Sequence, residues 1–422
     1  MARKQRPDSR VEDCVRIDGE LYDVRAWAPR HPGGDVLKHF FGRDATGAFA
    51  AFHSALARKM LKGMRARNLA SFTPEAGFSA DVEADFEALR TRAREAGLFE
   101  SRRGWFYGHA AWTVGLIVAS VGLLVWSPSA WPLAALALAL GWQQCGWLAH
   151  DVLHNSVHAQ RRTSELVGTL FGGVVLGFSG DWWKTKHNTH HALPNVRGVD
   201  TDIDTTPFLS FSESDLADIG PVTRWLVRAQ TVTAIPVLAA ARTNWVVASF
   251  LWALRAPSVP RRALELTTLA LHLGWSFGML ALLPSWGLRI AFFVMAQLLS
   301  GLFIGSVFLV GHNARPMVER TDAPGFCELQ CATTQNIRAP FGFTWFFGGL
   351  EHQIEHHLFP TMPRHNHKRI KNDVRALCEA HGLAYVERSF AEGLVDVARV
   401  LARVAGAARG HESSPAHASF QG

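Results

Sequence analysis

The sequence predicts a soluble amino-terminal module followed by an all-α integral membrane domain with four transmembrane helices and a cytosolic helical cap. Three observations carry that prediction. The 422 residues are 48% hydrophobic and only 19% charged, with 27 Phe and 15 Trp against 3 Tyr, a balance too apolar for an ordinary soluble chain. The apolar residues gather into long segments after residue 105, whereas the residues before it are polar. Nine of the 20 histidines fall into three tight groups beside those segments, in WLAHDVLHNSVH, WWKTKHNTHHALPN and EHQIEHH. The formal charge of +7 is spread along the chain, so positive-inside loops account for it and a nucleic-acid partner is not expected.

The elements follow in order. Residues 1–10 are expected to be disordered. The start MARKQRPDSR has no apolar core after it, so no cleavable signal peptide is expected. Residues 11–72 form the soluble module. In its HPGGD run, Pro32 stiffens the chain after His31, and Gly33 and Gly34 permit a sharp turn with close approach to a flat ligand. His53 follows Phe49 and Phe52. Two imidazoles delivered from opposite sides of an apolar pocket fill both axial positions of a haem, which then carries electrons and binds no gas. The pattern YDV…HPGGD…F…FH resembles the cytochrome b5 family. The resemblance implies an α+β haem domain holding haem b, with His31 and His53 as its axial ligands.

Residues 73–104 read as a linker and an amphipathic helical lead-in that stops at Gly97. The membrane domain is expected over residues 105–405. Its four spans are residues 106–126, 133–148, 266–283 and 290–310; the first has the roughly 20 helical residues a bilayer core needs, and the second continues apolar into the first histidine group. Trp105, Trp126, Trp131 and Trp286 stand at span ends, where an aromatic belt belongs. The run 166–178 is short and rich in glycine, and the run 235–254 is broken by Arg242 and Asn244, which fits a helix lying in the membrane interface. Were residues 166–178 to cross the bilayer, the first two histidine groups would face opposite sides. Four full spans keep all three on one side, and the basic residues place that side in the cytosol. The five cysteines show no disulfide framework, as in a reducing compartment. The ending SFQG is no prenylation box, and residues 406–422 read as a disordered tail.

On a helix, His150, His154 and His158 share one face, as do His187, His190 and His191. With His352, His356 and His357 they offer more ligands than one ion accepts. Zinc takes four, and its structural sites favour Cys. Two first-row metals in nitrogen-rich shells fit better, and iron suits imidazoles with positions left open for oxygen. Asp151 and Glu355, each beside a histidine, are expected as outer-shell partners that orient the imidazoles. The acidic run Asp200, Asp202, Asp204 fits either that role or the capping of a turn. Such a centre needs outside electrons, and a fused haem module is a tethered donor at high local concentration. An oxidising centre at a membrane implies a C–H bond in a lipid chain.

The stretches QQCGWLAHDVLHNSVH, WWKTKHNTHHALPNVRGVDTDID and FFGGLEHQIEHHLFPTMPRHN resemble the three histidine boxes of membrane fatty-acid desaturases. More narrowly they resemble the front-end group with its amino-terminal cytochrome b5 domain, over residues 21–395. The resemblance implies a di-iron site held by His150, His154, His187, His190, His191, Gln353, His356 and His357, with Gln353 as the mark of the front-end group. His312, in VGHNARP, matches the family's additional ligand. The first box lacks the doubled histidine of many relatives, so His158 is expected in the outer shell or in a structural role. His352 is expected to be no ligand, and His365 and His367 to lie at the surface or to contact headgroups. The implied reaction uses O2 and two electrons to place a cis double bond between an existing one and the carboxyl end of a polyunsaturated acyl chain. NADH-cytochrome b5 reductase is the implied electron source, acyl-CoA or acyl-phospholipid the substrate, and the endoplasmic reticulum membrane the location. A sphingolipid long-chain-base desaturase or lipid hydroxylase would use the same site. A haem electron carrier or metal-binding membrane protein is the non-enzymatic alternative.

Overall fold

The amino-terminal module begins with an antiparallel hairpin of β1 (Val15–Ile17) and β2 (Glu20–Tyr22). Asp18 and Gly19 form its two-residue turn at φ 52° and 79°, the two positive angles a twisted hairpin requires. The computed structural model describes residues 13–65, 78–256, 259 and 261–410. Residues 1–10 and the tail beyond 410 lie outside them. Helices α1 (Thr46–Phe52) and α2 (Ala55–Leu61) complete the module. Its core of Val15, Ile17, Val36, Phe40, Phe49 and Leu61 runs on into Ala192, Leu193, Val196 and Leu329, so the module is packed onto the rest of the chain.

The lead-in is helix α3 (Ala80–Glu95), capped by Ser79. It ends in a Schellman arrangement: Leu98 N donates to Ala93 O at 2.9 Å and Gly97 N to Arg94 O at 3.0 Å. Gly97 stands at φ 69°, as a helix stop of this kind needs. Val82, Phe86 and Leu89 of α3 pack with Ile354, Leu358 and Phe359, which makes the segment a brace and not a free linker.

Helices α4 (Arg103–Trp126) and α5 (Trp131–Leu153) pack side by side across a tight turn. Helix α6 (Arg161–Thr169) runs into a π-helical turn, Leu170–Leu176, that ends at Gly177. The glycines there serve close packing, since a Cβ on Gly173 would fall 2.2 Å from Thr268 Oγ1. Next come α7 (Gly180–Ala192), α8 (Pro221–Arg228), α9 (Gln230–Ala239), α10 (Ala241–Arg255), α11 (Arg262–Gly278) and α12 (Trp286–His312). The carboxyl-terminal part holds α13 (Phe326–Thr333), β3 (Asn336–Arg338), α14 (Thr344–Phe347), α15 (Gln353–Leu358), α16 (His367–Ala380), β4 (Glu387–Ser389) and α17 (Phe390–Gly410), with β3 and β4 parallel. Helix α17 continues past the expected domain end at residue 405.

The expectation of four spans is corrected. Among the described residues, only α4 and α12 are long and apolar enough to cross a membrane, or three spans if α9 and α10, bent by 62°, count as one. Helix α5 has the length, but Gln143, Gln144 and the tryptophans dilute it. Helix α11 stops at 17 residues before a 3-10 turn, about 26 Å at 1.5 Å per residue and short of a full bilayer core. Helices α5, α7, α12 and α15 surround the histidines, and the expected cytosolic cap is not shown as a separate layer among the described residues. Arg242, expected at an interface, is 1% exposed. Its guanidinium lies 3.5 Å from the centre of the Trp142 ring and donates to Leu176 O at 2.7 Å, a cation folded inward.

Candidate metal centre

Helix α5 delivers His150 and His154 from its last turn, and α12 ends on His312. Helix α7 carries His187, His190 and His191, and α15 carries Gln353, His356 and His357. The amino terminus of α7 is fixed from α11, where the buried Glu265 accepts from Gly180 N at 3.1 Å and Asp181 N at 3.3 Å, a carboxylate at the positive end of a helix.

These imidazoles converge in two groups. His150, His154, His187, His191 and His356 form one, and His190, His312 and His357 form the other; within each group the ligand atoms lie inside 4.8 Å of one another. In the first, His187 Nε2 is 3.2 Å from His150 Nε2 and 3.0 Å from His191 Nε2. In the second, ring centroids of His312 stand 4.5 Å from His190 and 4.6 Å from His357. The Gln353 amide reaches His312 Nε2 at 2.7 Å. Successive residues on a helix are turned by about 100°, so each doubled histidine is divided. His191 and His356 enter the first group, His190 and His357 the second.

The donor set fits cations. His187 Nδ1 donates to Asp202 at 2.9 Å, His190 Nδ1 to Asp200 at 2.8 Å and His357 Nδ1 to Gln330 Oε1 at 2.9 Å. Each of these bonds leaves Nε2 as a lone pair. The Nε2 atoms of His154, His356 and His357 are buried without a hydrogen-bond partner, and facing lone pairs repel unless a cation stands between them. Burial, and after it the neighbouring imidazoles, holds His191, His356 and His357 well below the usual imidazole pKa, so these rings are neutral at pH 7. For His190 burial also lowers the pKa, but Asp200 and Asp202 together outweigh it and the net shift is upward.

The module carries its own pair. His31 Nε2 faces His53 Nε2 at 3.4 Å. His53 Nδ1 donates to Phe49 O at 3.0 Å and His31 Nδ1 to Gly34 O at 3.4 Å. Both tautomers therefore turn their Nε2 lone pairs toward each other, the disposition two axial haem ligands need. Burial, with His31 as a second cause, pushes the His53 pKa down to about 4.

Residues 126–389 match the model of the fatty acid desaturase family, and residues 3–70 that of the cytochrome b5-like heme/steroid binding domain. The chain belongs to the fatty acid desaturase family. It carries the fused cytochrome b5-like domain, which implies haem. It is 36% identical over 95% of its length, and 77% of the relative's, to an acyl-lipid (9-3)-desaturase of Physcomitrium patens. It is 34% identical to a delta(8)-fatty-acid desaturase of Euglena gracilis, over 92% of this chain and 94% of the relative. It is 32% identical to a delta(6)-fatty-acid desaturase of Caenorhabditis elegans, over 90% and 93%.

In this desaturase several expected outer-shell roles are corrected. Asp151 pairs with Arg364 at 3.1 Å, and Glu355 accepts from Tyr385 at 2.6 Å and Asn336 at 2.8 Å. Neither touches a ligand ring, because a residue next in sequence to a helical histidine points off its face. His158 lies 3.5 Å from the Tyr107 hydroxyl and outside both groups, since the helix has ended before it. His367 is 1% exposed, not at the surface, and its Nε2 meets Met362 O at 3.2 Å. His352 is no member of either group. Of the acidic run, Asp200 and Asp202 accept from His190 and His187 while Asp204 accepts from Thr206 in the turn. Gln330 and the Thr333 carbonyl, 3.2 Å from His312 Nδ1, were missed, because nothing in their local pattern marks them. The five cysteines are free and buried.

Proposed function

We propose that this desaturase is an oxygen-dependent front-end enzyme that places a cis double bond between an existing one and the carboxyl end of a polyunsaturated acyl chain. The observation that carries the reading is the division of the imidazoles into two groups, with Nε2 of His154 and His356 in the first and of His357 in the second buried without a hydrogen-bond partner. In it His150, His154, His187, His191 and His356 hold one iron, and His190, His312 and His357 with Gln353 hold the other. His31 and His53 hold haem b. When bound, the iron pair supplies the activation of O2 for removal of two hydrogens from adjacent methylenes, O2 leaving as water with two electrons and two protons added.

The chain's own residues bind, orient and exclude water. Asp200, Asp202 and Gln330 keep the rings aimed inward. A cavity of about 100 Å³ opens onto His187, His190 and His312 and is walled by Trp182, Trp183, Trp245 and Phe308. This wall offers an acyl chain an apolar surface beside the irons. Tethering of the haem module keeps the donor beside the site. NADH-cytochrome b5 reductase supplies the electrons, acyl-CoA or acyl-phospholipid is the substrate, and the site faces the cytosol from the endoplasmic reticulum membrane.

Expression in yeast fed single fatty acids, with products resolved by gas chromatography, tests the reading. A new double bond on the carboxyl side of an existing one is expected. A hydroxylated product or an altered long-chain base would replace it. His53→Ala is expected to lose the Soret band and turnover while keeping two non-haem irons per chain. His191→Ala is expected to keep the Soret band and lose desaturation.

A further inference from the structure

Among the described residues, Phe52 gives the aromatic contact between the haem-ligand turn and the imidazole groups. It is the last residue of α1, and His53 follows it as the cap of that helix. Its ring meets the His191 ring edge-on, with centroids 6.3 Å apart and planes at 84°, within the range in which aromatic rings interact. Among the described residues no other aromatic pair joins the module to either group. His191 in turn stacks on His357, with centroids 4.0 Å apart and planes at 16°. His191 belongs to the first group and His357 to the second, so a contact with His191 reaches both.

The position of Phe52 is held on either side. Arg94 donates to Ala50 O at 3.5 Å and Thr361 to Ala51 O at 3.4 Å. His53 N donates to Phe49 O at 3.0 Å, and the His53 ring stacks on Phe49 with centroids 4.3 Å apart. On the other flank of the module, Gly34 lies so close to α7 that a Cβ there would fall 3.3 Å from Thr185. The end of α1 is therefore clamped between α3, the segment after α15, and the helix that carries His191.

Electron tunnelling falls steeply across empty gaps and less steeply through bonded and packed atoms. We infer that Phe52 is the positioning residue that couples the haem-ligand turn to the paired imidazole groups, its ring filling the gap between His53 and His191. The inference rests on the reading of those groups as metal sites. The step it serves moves one electron at a time: the haem is oxidised, the metal pair is reduced, and no bond forms or breaks. A NAD(P)H-linked flavin reductase, or dithionite in the test, restores the haem.

The test uses the full-length holoenzyme. Haem is reduced anaerobically with limiting dithionite, then mixed with oxygenated buffer, with or without linoleoyl-CoA or dilinoleoyl phosphatidylcholine vesicles. Stopped-flow absorbance follows haem reoxidation. Phe52→Ala and Phe52→Leu are expected to slow the substrate-dependent phase about tenfold, since a tether maintains encounter but not contact. Phe52→Tyr is expected to retain the wild-type rate. Haem midpoint potential and non-haem iron per chain are expected to stay unchanged in all three. Should the alanine variant lose haem or iron, the leucine and tyrosine pair decides. A leucine variant as fast as wild type means that bulk alone matters and overturns the inference. A wild-type enzyme whose reoxidation ignores both substrates overturns the metal-site reading instead, and that failure is visible before any variant is made.

Discussion

At the scale of single residues, the site depends on which nitrogen of each imidazole carries the proton. Asp200 accepts from His190 Nδ1 at 2.8 Å and from Asn195 N at 2.8 Å, so one buried carboxylate fixes both a ring and the loop that follows α7. Asp200→Asn removes the charge that sustains His190 as a strong donor. It is expected to weaken iron retention about 10- to 100-fold, the usual effect of losing an outer-shell carboxylate. A chelator titration of iron per chain checks this, with Asp204→Asn, whose side chain serves Thr206, expected to match wild type. The ligands were legible because His-x-x-x-His and His-x-x-His-His spacings declare themselves on a helix. Their division was not. That His190 and His191 serve different groups follows from the rotation between neighbours, and only the fold says what lies on each side. Asp200 and Asp202 reach their rings from an irregular loop, where no period could point to them.

At the scale of elements, α3 shows how an amphipathic lead-in becomes part of the site's frame. Its period was legible, and so was its stop at Gly97; its partner, the helix bearing the third box, was not. Glu83 of α3 accepts from Cys327 N at 2.7 Å, tying α3 to α13. Burial, with Asp44 of the haem module and Glu328 adding to it against the Cys327 bond, raises the Glu83 pKa from 4.5 to about 7. A carboxyl whose folded pKa is raised binds its proton more tightly in the folded state. Its contribution is complete below the unfolded value and lost as pH rises through the folded one. Thermal stability is therefore expected to fall from about pH 5 to pH 8. Glu83→Gln keeps an oxygen for Cys327 N–H and cannot ionise, so its melting temperature is expected to change less over that range and to exceed wild type at pH 8. Parallel melting curves for the two proteins would show that Glu83 titrates normally.

At the scale of the whole molecule, the arrangement works only if the helices bring every box to one surface. Apolar runs in the sequence locate α4, α5, α11 and α12, yet among the described residues length and composition leave α4 and α12 as clear spans, or a third in the bent pair of α9 and α10. The difference has a physical source. Helix α5 gives its last turns to ligands and buries Gln143 and Gln144, whose amides bond Phe346 O at 3.2 Å and Trp345 O at 3.0 Å; a helix that serves the site inside the protein need not be apolar throughout. What the sequence argument required was that His150 and His154 at the end of α5, and His312 at the end of α12, face the same way, and their convergence with α7 and α15 meets it. If α4 with α5 and α11 with α12 each enter the membrane as a pair, the turns before α5 and α12 lie together on the opposite side. Buried native cysteines give a low background for testing this. Ser129→Cys and Ser285→Cys, in those two turns, are expected to react with a membrane-impermeant thiol reagent from one side of sealed vesicles. Asp35→Cys in the haem module and Asp373→Cys in α16 are expected to react from the other. Ser129 and Asp35 labelled from the same side would mean that α4 and α5 do not cross the bilayer as a pair, and the haem module and the boxes would have to reach one another by a different path.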